Sequence, residues 1–485
     1  MNERVSLDRL TVFAFLLASA AIFEQAKWDK WASSPAALLV SVSAFWLFLR
    51  PRSLPALAIL SLSVTWNVLQ GLPWVSNHSL LAAVAAMTVL VALASRISVD
   101  GWPPDRERWF DSLAPAVRIE VVLLYVWAFF HKLNAGWFDP EVSCAVTLAD
   151  VLGGSLGLPD AGWLQEGAIF AALAVEATIP VLLLVPRTRA AGVLVATAYH
   201  WLLGISTFFN FSAAMYALLY LFLPVRSTDL LRRWLTSLRR RAFRIASPAA
   251  WRRSYAWVSG TLLAAAMAVL LSHASWSFRP GGFRLLTQRP LETPRSSISH
   301  GFEALWWVYG GALLVVLLLL LLSHRRIDGA PGFAMRPRLL AVFPLIVLLN
   351  GAGPYLGLKT ENAFSMFSNL QTEGAYANHL ILGGGVRLAD YQDDLVYVES
   401  SSDEELSRLA ETKYALPYFE FRSYVNRRMR ADEGPIRITY VRGDRRVEVA
   451  DAASERELAR PDRWLARRLL WFRPVFSGGS PPCIH

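Results

Sequence analysis

The sequence predicts an all-α polytopic membrane bundle of about eleven transmembrane helices with a small C-terminal α+β domain outside the membrane. Three observations lead there. The 485 residues are 54% hydrophobic and only 18% charged, which is wrong for a soluble enzyme and right for a chain threaded through lipid. Mean hydropathy is +0.35. The apolar windows stop near residue 358, and an alternating, charged pattern takes over from Lys359. This divides the chain into a membrane domain, 1–358, and an outer domain, 359–485.

Roughly 20 helical residues cross a hydrocarbon core of about 30 Å. Apolar windows fall at 6–24, 35–49, 54–70, 78–97, 114–133, 165–185, 190–209, 211–224, 255–273, 304–323 and 338–357. The first, "RLTVFAFLLASAA", has the look of a signal-peptide core, but counting it as a retained span makes the later topology consistent. The clearest span is the leucine run from Leu314 to Leu322. The formal charge of +10 reads as loop arginine setting topology, not as affinity for nucleic acid. Arg232, Arg233, Arg239, Arg240, Arg241, Arg244 and Arg252 put the stretch 226–253 in the cytoplasm. Pro186–Arg189, Arg50–Ser53 and His324–Gly329 then also lie inside, and the loop 134–164, free of Lys and Arg, lies outside. The loop carrying Arg279, Arg284, Arg289 and Arg295 breaks the rule. The N-terminus is expected in the cytoplasm and the C-terminal domain beyond a bacterial inner membrane.

In the tail, "DLVYVES" and "IRITYVRGDRRVEV" alternate as strands, the second turning at Gly443-Asp444. "SDEELSRLAETKY" reads as a helix with Ser402 and Glu405 at capping-box spacing. "RWLARRLLWFRP", 463–474, mixes Arg, Trp and Leu as a membrane-surface helix or an ordinary packed helix would. The two cysteines, Cys144 and Cys483, exclude a thiolate metal cluster and leave one bridge open between them. His131, His273, His300 and His379 are scattered singly, so no metal site is expected. No phosphate loop, zinc pair or nucleophile elbow occurs.

Ionisable groups within spans are costly, and each asks for a reason. Lys132 ends the fifth span in "YVWAFFHKLNAGWF", beside His131, Asn134, Trp127 and Trp137. It either snorkels to the interface or stands in a dry, aromatic pocket where a neutral amine acts as a base. Glu176 and His200 each lie about ten residues from the outer end of their spans, roughly 16 Å deep. At one level on consecutive helices they could share a proton, as a structural tie or as a relay. Pro180 removes the donor for the Glu176 carbonyl and should kink that helix.

These residues resemble the vitamin K-dependent γ-carboxylase and its bacterial relatives, the HTTM (horizontally transferred transmembrane) family. Lys132, Leu133, Asn134 and Trp137 match the family's helix end, with His131 replacing the first lysine of the carboxylase pair. "VEATIPVLLLVPRTRAAGVLVATAYH" is similar to the next segment, carrying Glu176, the basic turn Arg187 and Arg189, and His200. "MYALLYLFLP" resembles the helix after it, and the likeness covers about 10–280, with specificity in 125–224. The resemblance implies that Lys132 is the base that deprotonates a reduced quinone of the vitamin K or menaquinol type. Glu176 and His200 then serve as pocket or relay groups, and His131, Asn134, Trp137 and Trp127 line the substrate pocket. Leu203 stands where the carboxylase has Asn, the spacing before Phe211 is two residues longer, and the tail is much shorter. The departures point to quinol oxidation of the epoxidase kind without glutamate carboxylation.

Two functions therefore stand side by side. One is an outward-facing membrane enzyme acting on a lipid-soluble quinol. The other is a non-catalytic membrane partner or scaffold in protein maturation or export, whose outer domain binds another protein or peptide. A transporter would show paired broken helices or two repeated halves, and the sequence has neither.

Overall fold

The computed structural model describes residues 7–158, 162–242, 258, 260–261, 296–323, 332–431 and 434–483. Of the ninth apolar window, 255–273, only 258, 260 and 261 are among these residues; His273, Arg244, Arg252, the arginines 279–295 and the basic turn 324–329 lie outside them. Among the described residues, eight helical segments are long and apolar enough to cross a membrane, the run 189–222 being counted as one.

The first five helices run in sequence as α1 (Arg9–Trp28), α2 (Pro35–Leu49), α3 (Leu54–Gly71), α4 (Asn77–Asp100) and α5 (Arg106–His131). Each starts on a side chain that accepts from an otherwise orphaned amide: Asp8, Ser34, Ser53, Ser76 and Asp105. α2 has only 15 residues, so it falls short of a full crossing. After α6 (Cys144–Leu156) come α7 (Gly162–Leu184) and α8 (Arg189–Leu203), joined by a short turn and packed where Gly192 meets Leu182 and Leu183. α7 continues through Pro180.

The apolar run 189–222 is not one rod. Five residues in π-type turns, Gly204–Phe208, hold Thr207 at φ 92°, and the chain doubles back into α9 (Phe209–Leu219). The Tyr216 hydroxyl consequently donates to the Thr197 carbonyl at 3.1 Å, which a continuous helix could not allow. The turn is fixed by packing: a Cβ on Gly204 would lie 2.0 Å from the indole nitrogen of Trp306. Two of the expected windows, 190–209 and 211–224, are thus the legs of this hairpin. α10 (Val225–Ala242), rich in arginine, is not among the candidate spans; α11 (Ser297–Leu322) and the apolar segment 338–356 around α12 (Val342–Ala352) are.

The tail forms an antiparallel sheet in the order β4–β3–β1–β2–β5, from β1 (Leu395–Ser401), β2 (Tyr414–Pro417), β3 (Ile438–Arg442), β4 (Arg445–Val449) and β5 (Val475–Phe476). Its core joins Val396, Leu416, Phe421 and Val425 beneath α13 (Glu404–Ala410) and α14 (Tyr418–Arg430). The β3–β4 hairpin turns at Gly443 as expected. The α13 cap is Asp403 rather than Ser402: Asp403 Oδ1 accepts from the Glu405 and Leu406 amides, while the Ser402 hydroxyl oxygen accepts from the Arg437 amide.

The two parts interlock. Asn362 donates to the Pro73 carbonyl, and the Phe364 amide donates to Asn77 Oδ1. Cys144 and Cys483 are joined by a disulfide across the same face.

Candidate functional site

The end of α5 is built as a cap. Asn134 accepts from the Trp137 amide and donates to the carbonyls of His131 and Ser368, which turns the chain sharply after Lys132. His131 is fully buried, with Nδ1 2.9 Å from the Tyr355 hydroxyl and Nε2 3.0 Å from the Ala363 carbonyl. Trp127 stacks on both His131 and Tyr355. His131, Asn134 and Trp127 therefore hold the helix end against the 355–368 segment; the polar atoms of His131 and Asn134 are spent on the protein itself, while the buried Trp127 Nε1 has no hydrogen-bond partner among the described residues. Trp137 lies beneath Lys132, its ring centre 5.2 Å from the amine.

Lys132 does not snorkel. Its side chain is 7% exposed and its Nζ lies 2.7 Å from Glu176 Oε2, whose own side chain is 9% exposed. The Tyr199 hydroxyl donates to the other carboxylate oxygen at 3.0 Å. Glu176 thus faces Lys132 on α5 and Tyr199 on α8; the hydrogen bond expected between Glu176 and His200 is replaced by these two. His200 instead places Nε2 2.7 Å from the Tyr125 hydroxyl. Its Nδ1 is buried and has no hydrogen-bond partner among the described residues. Leaving such an atom unmatched costs about 1–3 kcal/mol.

A second polar group lies across a phenyl ring from the first. The Phe211 ring sits edge-on to His200 at 4.9 Å and tilted against His78 at 5.6 Å. His78 Nε2 is 3.0 Å from Glu24 Oε2, and Asn210 Nδ2 donates to the same oxygen at 2.7 Å. Ser79 donates to Oε1 at 3.1 Å. Glu24, His78, Asn210 and Phe211 line a cavity of about 90 Å³ whose remaining walls include Leu60, Val64 and Met215. The longer spacing before Phe211 maps onto the doubled-back turn, and that turn is what brings Asn210 to Glu24 on α1 and His78 on α4.

This second group was missed by reading the sequence, although the signal was present. Glu24 stands in an apolar window, and the rule that made Glu176 conspicuous applies equally to it. His78, at the first turn of α4, opens the apolar window 78–97 and has no other mark in the sequence.

Four positions beside the site are left-handed without being glycine: Asn362, Phe364, Phe367 and Asn369. Each costs roughly 1–3 kcal/mol and persists only where its surroundings enforce it. Here the enforcement is visible, since the Asn369 side chain accepts from the Cys144 amide and donates to the carbonyls of Val142 and Pro481. Among the described residues, no group of three His, Cys, Asp or Glu is arranged to hold a metal ion. Comparison with family models, with curated proteins and with solved structures finds no match.

Proposed function

We propose that the chain is an integral membrane enzyme that removes a proton from a lipid-soluble aromatic hydroxyl, a hydroquinone, at the Lys132–Glu176 pair. The observation that carries this reading is the pair itself: an amine and a carboxylate in contact at 2.7 Å, nine-tenths buried, at the mouth of a membrane helix. Desolvation offsets much of what a buried ion pair contributes to stability, so its presence asks for another reason.

Charge accounting supplies one. Written as ammonium and carboxylate, the pair accepts a proton on Glu176. Written as amine and carboxylic acid, it accepts on Lys132. Both routes end in the same state, a lysine cation beside a neutral acid, and that cation then faces the anion left on the substrate. In a site with little water this pairing is worth several kcal/mol more than in solvent. Tyr199 holds the carboxylate's second oxygen and so fixes its direction.

What supports a reduced quinone as the ligand is the second polar group and the cavity beside it. The cavity has apolar walls for a ring, and His78 and Asn210 stand at its polar end to meet a ring oxygen; Lys132 and Glu176 are not in its lining, and His200 stands edge-on to Phe211, one of its walls. Such a group, when bound, supplies an acidic phenolic hydroxyl and an electron-rich ring open to oxidation. The resemblance to the HTTM and γ-carboxylase helix end supports the same chemistry. A cytoplasmic N-terminus and an outer tail beyond a bacterial inner membrane complete the reading, and the disulfide suits an oxidising compartment.

The test is oxidation of menaquinol by dissolved dioxygen, with epoxide formation followed, in proteoliposomes. Lys132→Ala is expected to lower turnover by about 10²–10⁴-fold, the usual contribution of a positioned base. Equal turnover in wild type and variant above the protein-free background would end the base hypothesis, and turnover at that background in both would favour the non-catalytic partner.

A further inference from the structure

We propose that two apolar projections of the outer unit, the loop Leu380–Leu388 and the short helix Trp464–Leu469, insert into the outer leaflet and seat that unit on the bilayer. The occupant of both surfaces is lipid.

The loop exposes five large apolar side chains in nine residues: Leu380 (62%), Ile381 (65%), Leu382, Val386 (71%) and Leu388. A soluble surface scatters such residues singly, whereas a contiguous set marks an interface. Both ends of the loop are tied to ends of membrane helices. The Leu380 amide donates to the Leu133 carbonyl just past α5, and the Leu388 amide donates to the Leu356 carbonyl at the end of the last apolar segment. His379 Nε2 adds a bond to the Phe130 carbonyl. The chain between these ties turns through Gly383 and Gly385, both at positive φ, so the apolar tips project instead of folding back.

The short helix repeats the arrangement at a second helix end. Arg468 donates to the carbonyls of Gln70 and Leu72 at 2.9 and 3.0 Å, where α3 stops. Trp464, Leu465 and Leu469 are exposed, continuing the exposed apolar line of Leu62, Trp66 and Leu69 on α3. α3 and α5 run in the same direction, being separated by the single reversal of α4, so both projections leave the same face. A tryptophan and an arginine among leucines suit the headgroup boundary, where the ring sits among headgroups and the guanidinium reaches phosphate or backbone. Continuity with the lipid-facing helices is what selects lipid over another protein.

The proposal is independent of any chemistry at Lys132. The full chain is reconstituted into phosphatidylcholine/phosphatidylglycerol vesicles after single spin-labelling of Ile381→Cys, Val386→Cys or Leu465→Cys. Asp444→Cys at the exposed hairpin turn is the aqueous reference, and Val308→Cys on α11 is the lipid reference. The three test sites are expected to lose collisions with a water-soluble nickel chelate and to gain collisions with oxygen, matching Val308→Cys. Chelate access equal to that of Asp444→Cys overturns the proposal. Protection accompanied by spin–spin broadening that disappears on dilution with unlabelled protein also overturns it, in favour of a second copy. Retention of the Cys144–Cys483 link on a non-reducing gel shows that each variant has folded.

Discussion

Lys132 Nζ and Glu176 Oε2 lie 2.7 Å apart, joining the end of α5 to the middle of α7 inside the protein. Neither charge is tolerable alone at that depth. Removing one partner leaves the other buried and unmatched, at about 3–5 kcal/mol, whereas replacing both with apolar side chains is close to neutral. Lys132→Met and Glu176→Met are each expected to lower the thermal midpoint in detergent, and the double variant to recover most of the loss. Additive losses in the double variant would mean that the two residues do not act as a pair. The double variant also separates stability from chemistry, because it restores the fold without restoring a proton acceptor.

Gly204 is the pivot of the α8–α9 hairpin. The Trp306 indole is fully buried, donates to the Trp201 carbonyl at 3.1 Å, and passes within 2.0 Å of where a Gly204 Cβ would stand. Gly204→Ala is expected to destabilise by roughly 1–3 kcal/mol through overpacking. Shrinking the ring in the same chain, with Trp306→Leu, should make the alanine nearly harmless. Equal damage from Gly204→Ala in both backgrounds would show that the indole is not the obstacle. The midpoint of thermal unfolding measures both.

How much of this was legible in the sequence differs from feature to feature, for physical reasons. The outer hairpin at Gly443 followed from turn chemistry and alternation, which are local. Lys132, Glu176 and His200 stood out because ionisable groups in lipid are costly. Their partners did not follow, since counting residues from a helix end gives depth but not the angle around the helix. Glu176 and His200 share a level, yet Glu176 points to Lys132 and Tyr199, and His200 points to Tyr125. The Glu24–His78–Asn210 group needs three helices far apart in sequence and a turn at Thr207 that no propensity would suggest. α2 was counted as a span on hydropathy alone, where its 15 residues make it short.

Lys359 offers a pH test outside the membrane helices. Burial holds its amine down to about 8, from 10.5 in water. Below pH 8 both folded and unfolded chains carry the proton, and the folded state bears the full penalty of the buried charge. Between about 8 and 10.5 the folded chain has lost the proton while the unfolded one keeps it, so stability rises with pH through that window. At 1.36 kcal/mol per pKa unit the span amounts to no more than about 3 kcal/mol, less whatever solvent contact the amine retains. Lys359→Met is expected to raise stability at pH 7 and to flatten the rise between pH 8 and 10. Parallel curves for wild type and variant in denaturant melts across that range would refute the assignment.

The disulfide between Cys144 and Cys483 closes a loop with a sequence separation of 339. Long loops lose the most freedom on cross-linking, so removal of this one is expected to cost about 2–5 kcal/mol, toward the upper end. The bond also clamps the last described residues to the α6 start, where the Asn369 side chain accepts from the Cys144 amide and donates to Pro481. Limited trypsin cleavage after the exposed Arg430 gives a direct reading of the link. On a denaturing gel without reductant the cut chain should run as one covalent species, and reductant should split it in two. The Cys144→Ser/Cys483→Ser variant should split without reductant and melt earlier. A cut wild-type chain that separates without reductant would show that the bridge does not form, and the strained 362–369 segment would then have to hold its place by hydrogen bonds alone. In that case the variant's melting curve would overlay that of wild type, because there would be no cross-link to lose.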